Sequence, residues 1–180
     1  PTLTINGGTF SGGINTVKND ERGQLNIEDG MFSNEDGPAI LNWNSATIRG
    51  GTFKSIDSGV LANGYWNDHA TGQMTVTGGN YTVSSETNCG VFNEPVDSRG
   101  GGKVTISNAY IDGALGGKLT SEIKIQSGTF TSEVPANYLA ATTTPYATLN
   151  GTHYVGKTNV QAAAASAPSG STITVRQGDV

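Results

Sequence analysis

An eight-residue phrase recurs six times along this chain of 180 residues, and that recurrence limits the available folds more than any other feature. The first copy is Leu3-Thr4-Ile5-Asn6-Gly7-Gly8-Thr9-Phe10. Degraded copies follow at 25–32, 46–53, 74–81, 104–111 and 123–130. The shared pattern is apolar, any residue, β-branched, two of any kind, small, any, then aromatic or aliphatic. The closing positions Phe10, Phe32, Phe53, Tyr81, Ile111 and Phe130 are spaced by 22, 21, 28, 30 and 19 residues.

Apolar residues two apart lie on one face of a strand. A Gly-Gly or Asp-Gly step then allows a bend, since glycine adopts positive φ freely. The aromatic re-enters the interior on the next strand. One such unit per twenty or so residues suits a solenoid. A sandwich needs hairpins about every 8–12 residues and alternating strand directions. The reading is therefore all-β, a right-handed parallel β-helix of about six coils. Leu3, Ile5, Leu25, Ile27, Ile48, Met74, Val76, Val104, Ile106, Ile123 and Ile125 are expected in two buried columns. The six closing residues form a third.

Composition agrees. Charged residues make up only 14% of the chain and the net charge is −5, too little for disorder through self-repulsion. Gly, Thr, Ser and Asn fill the space instead, as tight turns between short strands require. No Lys/Arg stripe is present to neutralise phosphates, so a nucleic-acid partner is not expected. No apolar run approaches the roughly 20 residues of a membrane-spanning helix, so no membrane insertion is expected either. The chain opens at Pro1 in what already reads as a strand, as in an excised fragment or a processed product. Cys89 is the only cysteine, which rules out an internal disulfide, and it reads as a small buried thiol.

A second register runs beside the first. About ten residues after each aromatic comes apolar-x-Asn, ending at Asn19, Asn42, Asn63 and Asn93. Stacked coils would align these amides in a hydrogen-bonded ladder, with αL or bridge-like backbone at each turn. Independent turn asparagines are the alternative. Extra length falls after this turn, at 20–23, 64–72 and 94–102, so those loops are expected along one edge of the stack, often the binding side of a solenoid. Tyr65, Trp66, Asp68, His69, Asp97 and Arg99 lie there and are the candidate binding residues. An aromatic face stacks on a ring, and the charged groups orient hydrogen bonds. Equally, Trp66 folds back over its own loop.

The organisation divides into repeats at 1–140 and a different unit at 141–180. Residues 146–155 read as a hairpin with Asn150-Gly151 as a type I′ turn. Residues 158–167 read as a short alanine-rich helix capped by Thr158 or Asn159. Residues 172–175 restore the strand. This small α+β unit caps the stack or begins a further module.

The phrases Ile5-Asn6-Gly7-Gly8-Thr9-Phe10-Ser11 and Ser127-Gly128-Thr129-Phe130-Thr131-Ser132-Glu133-Val134 resemble β-helical repeat regions of large, adhesin-like surface proteins of gut Gram-positive bacteria. The resemblance spans nearly the whole chain, but its motifs are structural. It implies an extracellular, cell-surface or secreted location, a role as adhesin or stalk, neighbouring modules in a longer parent chain, and a glycan or a host or bacterial surface protein as partner. It supplies no catalytic residues. Phage appendages share such repeats.

Two function classes remain open. One is a non-enzymatic surface module. The other is a carbohydrate-active β-helix, of polysaccharide-lyase or glycoside-hydrolase type, which would need clustered carboxylates on one sheet. No spacing here stacks them so. Asp68, His69 and Asp97 read as solvated loop residues. Asn34-Glu35-Asp36-Gly37 and Asn67-Asp68-His69 lack the spacing of a calcium loop, and His69 and His153 are far apart, so neither a metal site nor a cofactor is expected. Trp43, beside Asn42, packs on the core or stacks on a sugar.

Overall fold

The computed structural model describes residues 1–64, 72–84, 89–93, 102–116 and 122–177, with the side chains of 89–93 and 177 left aside. It is strand-rich, and most strands are parallel. The chain runs through successive triplets of short strands: β1 (Thr2–Ile5), β2 (Thr9–Ser11) and β3 (Val17–Asn19); β4 (Gln24–Ile27), β5 (Met31–Asn34) and β6 (Ile40–Asn42); β7 (Ser45–Ile48), β8 (Thr52–Ser55) and β9 (Leu61–Asn63). The pattern continues with β10 (Gln73–Val76), β11 (Asn80–Val83) and β12 (Cys89–Asn93), then β13 (Lys103–Ile106), β14 (Ala109–Asp112) and β15 (Ala114–Gly116), and finally β16 (Glu122–Ile125) and β17 (Gly128–Phe130).

Each strand pairs with its counterpart one triplet away, so three sheets form. The first strands make a six-stranded sheet and the third strands a five-stranded one. The second strands make the parallel part of a nine-stranded sheet. Registers are those of the sequence repeat. Ile27 lies beside Ile48, Ile48 beside Val76, Val76 beside Ile106 and Ile106 beside Ile125. All five are fully buried. Alternation sends Asn26, Thr47 and Thr75 to the other face.

The closing positions stack as well. Ring centroids of Phe10, Phe32, Phe53 and Tyr81 follow one another at 5.1, 4.8 and 4.8 Å, with planes within 10° of parallel. That spacing is the separation of paired strands. Each ring simply rides on its in-register backbone position, and Ile111 and Phe130 continue the column. Burial pushes the Tyr81 hydroxyl's pKa well above the usual tyrosine value, and the hydroxyl donates to Gly78 O at 2.7 Å.

The Gly-Gly step has two separate causes. A Cβ on Gly50 would stand 2.7 Å from Glu28 O of the preceding triplet. Gly51 has φ +107°, and its Cβ would stand 2.9 Å from Gly30 O. At Gly50 and Gly51 the neighbouring backbone therefore approaches too closely for a side chain. Gly51→Ala is expected to lower unfolding stability by about 1–3 kcal/mol, read by urea denaturation.

Two core expectations need correction. Leu3 is 51% exposed, whereas Leu25, beside it in register, is 2% exposed. Phe10 is only half-buried. β1 and β2 are the outermost strands of their sheets, so these side chains have a neighbour on one side alone.

At the other end the strand direction changes. A 3₁₀ turn at Ala136–Tyr138 leads to Leu139, which bridges to Ile125 and covers the edge of β16. β18 (Tyr146–Leu149) and β19 (Thr152–Val155) form an antiparallel hairpin, with Asn150 and Gly151 at φ 50° and 79°, as a type I′ turn requires. β19 pairs antiparallel with β17, so the hairpin extends the nine-stranded sheet rather than standing apart from it. Helix α1 (Lys157–Ser166) buries Val160 and Ala163. Its N-cap is Gly156 at φ 87°, not Thr158 or Asn159. The Asn159 amide instead donates back to Val155 O at 2.8 Å. β20 (Thr174–Gln177) pairs antiparallel with β18.

His153 holds this end together. Its Nδ1 lies 2.8 Å from the Tyr146 hydroxyl and 3.3 Å from Thr148 Oγ1, while the Tyr146 hydroxyl also accepts Val134 N–H at 3.3 Å. Burial, and then the Arg176 charge, hold the His153 pKa below its ordinary value. A neutral ring with its proton on Nε2 accepts the tyrosine proton at Nδ1, and a doubly protonated ring cannot. The unfolded chain therefore takes up this proton more readily than the folded one. The His153 contribution is complete above the unfolded pKa of about 6.5 and declines as pH falls toward the folded value. The melting temperature is expected to drop between about pH 7 and pH 5, and His153→Gln to flatten that slope.

Candidate functional site

The asparagines expected to align do lie at one register position. Asn19 pairs with Asn42, Asn42 with Asn63 and Asn63 with Asn93. Asn19 Nδ2 donates to Asn42 Oδ1, and Asn42 Nδ2 to Asn63 Oδ1, each at 2.7 Å. Both bonds are buried, and Asn42 and Asn63 are fully enclosed. The amides also reach the backbone across the corner between sheets. Asn42 Nδ2 approaches Asn44 O (3.1 Å) and Gln73 O (3.2 Å), and Asn63 Nδ2 donates to Gly72 O at 2.8 Å. Asparagine is needed because one planar group must donate along the stack, accept along it and also close a turn.

The αL conformation, one of the two expected at these turns, is absent. Asn19, Asn42 and Asn63 end β3, β6 and β9, and none has positive φ. After Asn63, the left-handed turn falls to Gly64 at φ 76°. The side chain chooses asparagine here, not the backbone. The Asn93 side chain lies outside the described residues.

A second polar hub was not legible in the repeat. Asn34, 3% exposed, sits two residues past Phe32 and so points inward again. Its Nδ2 reaches Gly12 O, Gly13 O and Thr16 Oγ1 at 3.0–3.1 Å, and its Oδ1 accepts from Asp36 N–H (3.1 Å) and Gly37 N–H (2.8 Å). One triplet on, Ser55 takes the same register position and donates to Gly37 O at 2.9 Å. The signal was the polar residue two after Phe32 and Phe53, Asn34 and Ser55, where alternation demands an inward side chain. A shallow groove runs along this corner, with exposed Glu35 and Asp36 on its rim.

The expected binding residues Tyr65, Trp66, Asp68, His69, Asp97 and Arg99 lie outside the described residues. The strands that bracket them are described. One segment joins β9 to β10 and the other joins β12 to β13. β9 pairs with β12, and β10 with β13, so the anchor points are neighbours: Asn63 beside Asn93 and Gln73 beside Lys103.

Some of the described charges are paired. Arg49 binds Glu28 at 2.7 Å, Lys103 binds Glu122 at 3.1 Å, and Arg176 binds Glu133. Asp112 accepts from Thr131 at 2.9 Å. These exposed pairs contribute little to stability. Among the described residues, no group of three or more His, Cys, Asp or Glu side chains could hold a metal ion. No helix among them is long and apolar enough to cross a membrane. Trp43 is half-buried, with Lys18 Nζ 3.6 Å from its ring centroid, so one face already carries a cation–π contact. No protein-family model matches the chain, and no curated protein or solved structure matches it either.

Proposed function

We propose that the chain is a right-handed parallel β-helix that serves as a non-enzymatic cell-surface or secreted module, a rigid stalk presenting loops to a glycan or protein partner. The observation that carries this reading is the parallel pairing of successive strand triplets in three sheets, shifted in register only between Cys89 and Val91 among the described parallel pairs, around columns of apolar side chains, rings and amides. Handedness follows from the rule that parallel crossovers within one sheet are right-handed in about 98% of cases. The interior is filled with side chains that satisfy one another, which suits a mount more than a reactive cleft. The neighbouring anchors of the segments carrying Tyr65, Trp66, Asp68, His69, Asp97 and Arg99 support presentation from one edge.

The test is a glycan-array and pull-down screen with the chain, alongside a Trp66→Ala, Arg99→Ala double variant of unchanged circular dichroism and melting temperature. Saturable binding by the parent, reduced at least about tenfold in the variant, is the expected result. Equal binding by both would move the site elsewhere and leave a spacer. Release of reducing sugar from an acidic polysaccharide would overturn the non-enzymatic reading.

A further inference from the structure

The outer surface of the nine-stranded sheet carries one register line that no charge interrupts. It starts at Thr9, crosses Thr52, Asn80, Tyr110 and Thr129 and ends at Tyr154, with one residue on each strand. Each is the chain neighbour of a side chain that faces the interior, so alternation turns it to solvent. Tyr110 is 38% exposed and Tyr154 half-buried, and Met31, on the same line, is 58% exposed. The next outward line differs, because it carries Lys54 and Asp112.

Helix α1 closes one end of the uncharged line. Beyond Tyr154 its register partner is Ala147. Ala147 and Leu149 are buried on the face opposite Tyr146 and Val155, which join the core. Val160 and Ala163 are the buried residues of α1, and the helix contacts β18 and β19. The helix therefore covers the outer face of β18 and leaves a ledge beside Tyr154.

Tyr110 and Tyr154 stand two strand steps apart, about 9.6 Å, with Thr129 between them. Alternate sugars of an extended β-1,4-linked glycan recur at about that interval and present the same C–H face to one side. An aromatic ring offers an apolar face to such a surface. The hydroxyl of Thr129 and the amide of Asn80 can exchange hydrogen bonds with sugar hydroxyls. A line without charge gives carboxylate or sulfate groups no counter-ion and leaves no buried charge beneath a neutral ring. The charge of the surface therefore matches a neutral polymer.

The geometry points to this line as a binding platform for an extended, neutral β-1,4-linked glycan, with Tyr110 and Tyr154 each under an alternate sugar. The platform rests on the pairing of β14, β17 and β19. It is separate from the edge carrying Trp66 and Arg99 and does not depend on that reading.

The test titrates the full chain with cellohexaose and chitohexaose by isothermal calorimetry, beside maltohexaose and hexagalacturonate. Saturable binding of at least one β-1,4-linked hexasaccharide is expected, about tenfold or more tighter than of the other two. Tyr110→Ala and Tyr154→Ala should each weaken it at least about fivefold, and Tyr110→Phe less than about twofold, because the ring and not the hydroxyl stacks. Thr129→Lys keeps both rings but sets a long charged side chain between them, and should weaken binding as much as losing a ring. Circular dichroism and melting temperature establish that each variant is folded, and Thr129→Lys serves if Tyr154→Ala is not. The Trp66→Ala, Arg99→Ala double variant should bind these sugars as the parent does. Absence of binding to both β-1,4-linked hexasaccharides would overturn the proposal. So would full binding by folded Tyr110→Ala and Thr129→Lys chains, or a preference for maltohexaose or hexagalacturonate. Binding lost in the double variant and kept in Tyr110→Ala would also overturn it, and would leave the loop edge as the glycan site.

Discussion

Phe53→Ala is expected to lower the free energy of unfolding by about 3–5 kcal/mol, the upper range for a buried aromatic. Phe53 is fully buried, and its ring lies 4.8 Å from both Phe32 and Tyr81. Truncation removes its own burial and also uncovers one face of each neighbouring ring. The void cannot easily collapse. β8 is held by parallel ladders to β5 on one side and β11 on the other, which keeps the flanking strands apart. Phe10→Ala removes the same group from the end of the column, where the ring is half-buried. It should cost less than half as much. Urea denaturation of the two variants, monitored by far-ultraviolet circular dichroism, checks the ranking. Equal losses would mean that the ring column does not act as a column.

Asn42→Ala is expected to cost about 3 kcal/mol, with the slope of the denaturation curve unchanged. The figure rests on what stays behind. Asn19 Nδ2 loses its acceptor at 2.7 Å, and the Asn63 oxygen loses its donor at the same distance, both in buried surroundings. Each buried hydrogen bond lost costs about 0.5–1.5 kcal/mol, and the contacts of Asn42 Nδ2 with Asn44 O and Gln73 O go with them. Asn42→Asp is the sharper variant. It preserves shape and the acceptor but removes the donor to Asn63, so it should be at least as damaging at neutral pH and recover partly in acid. Asn44→Ala is the control. It removes one bond, to Gly23 O at 2.7 Å, from a half-buried residue outside the column. An Asn42 variant no weaker than the Asn44 variant would show that the amides contribute no more than separate turn residues.

Much of this architecture was legible in the residues. Apolar positions two apart, a glycine bend and a returning aromatic set the strand, corner and column. The parallel pairing follows because each copy buries the same face in the same order. Asn-Gly at 150–151 announced its turn for an equally local reason, since few residues other than glycine and asparagine accept positive φ. Spacing from the aromatics placed Asn19, Asn42 and Asn63 at a shared level before any partner was known. Their role was legible, but their conformation was not. A turn preference and a stacking preference both select asparagine, and only the neighbouring strands decide between them.

What tertiary structure decided lies at the ends and corners. Leu3 carries the same pattern as Leu25, and no local feature distinguishes them; their exposure differs because one strand has two neighbours and the other has one. Asn34 became a hub because a bend in another triplet, at Gly12 and Gly13, offers it carbonyls 21 and 22 residues away in sequence. The hairpin joined the nine-stranded sheet because β17 still had a free edge, a fact about the sheet rather than about residues 146–155. Periodicity therefore determined which side chains face inward and which strands pair. Burial, satisfaction of polar groups and the fate of each free edge depend on what stands opposite, and that is set only when distant segments meet.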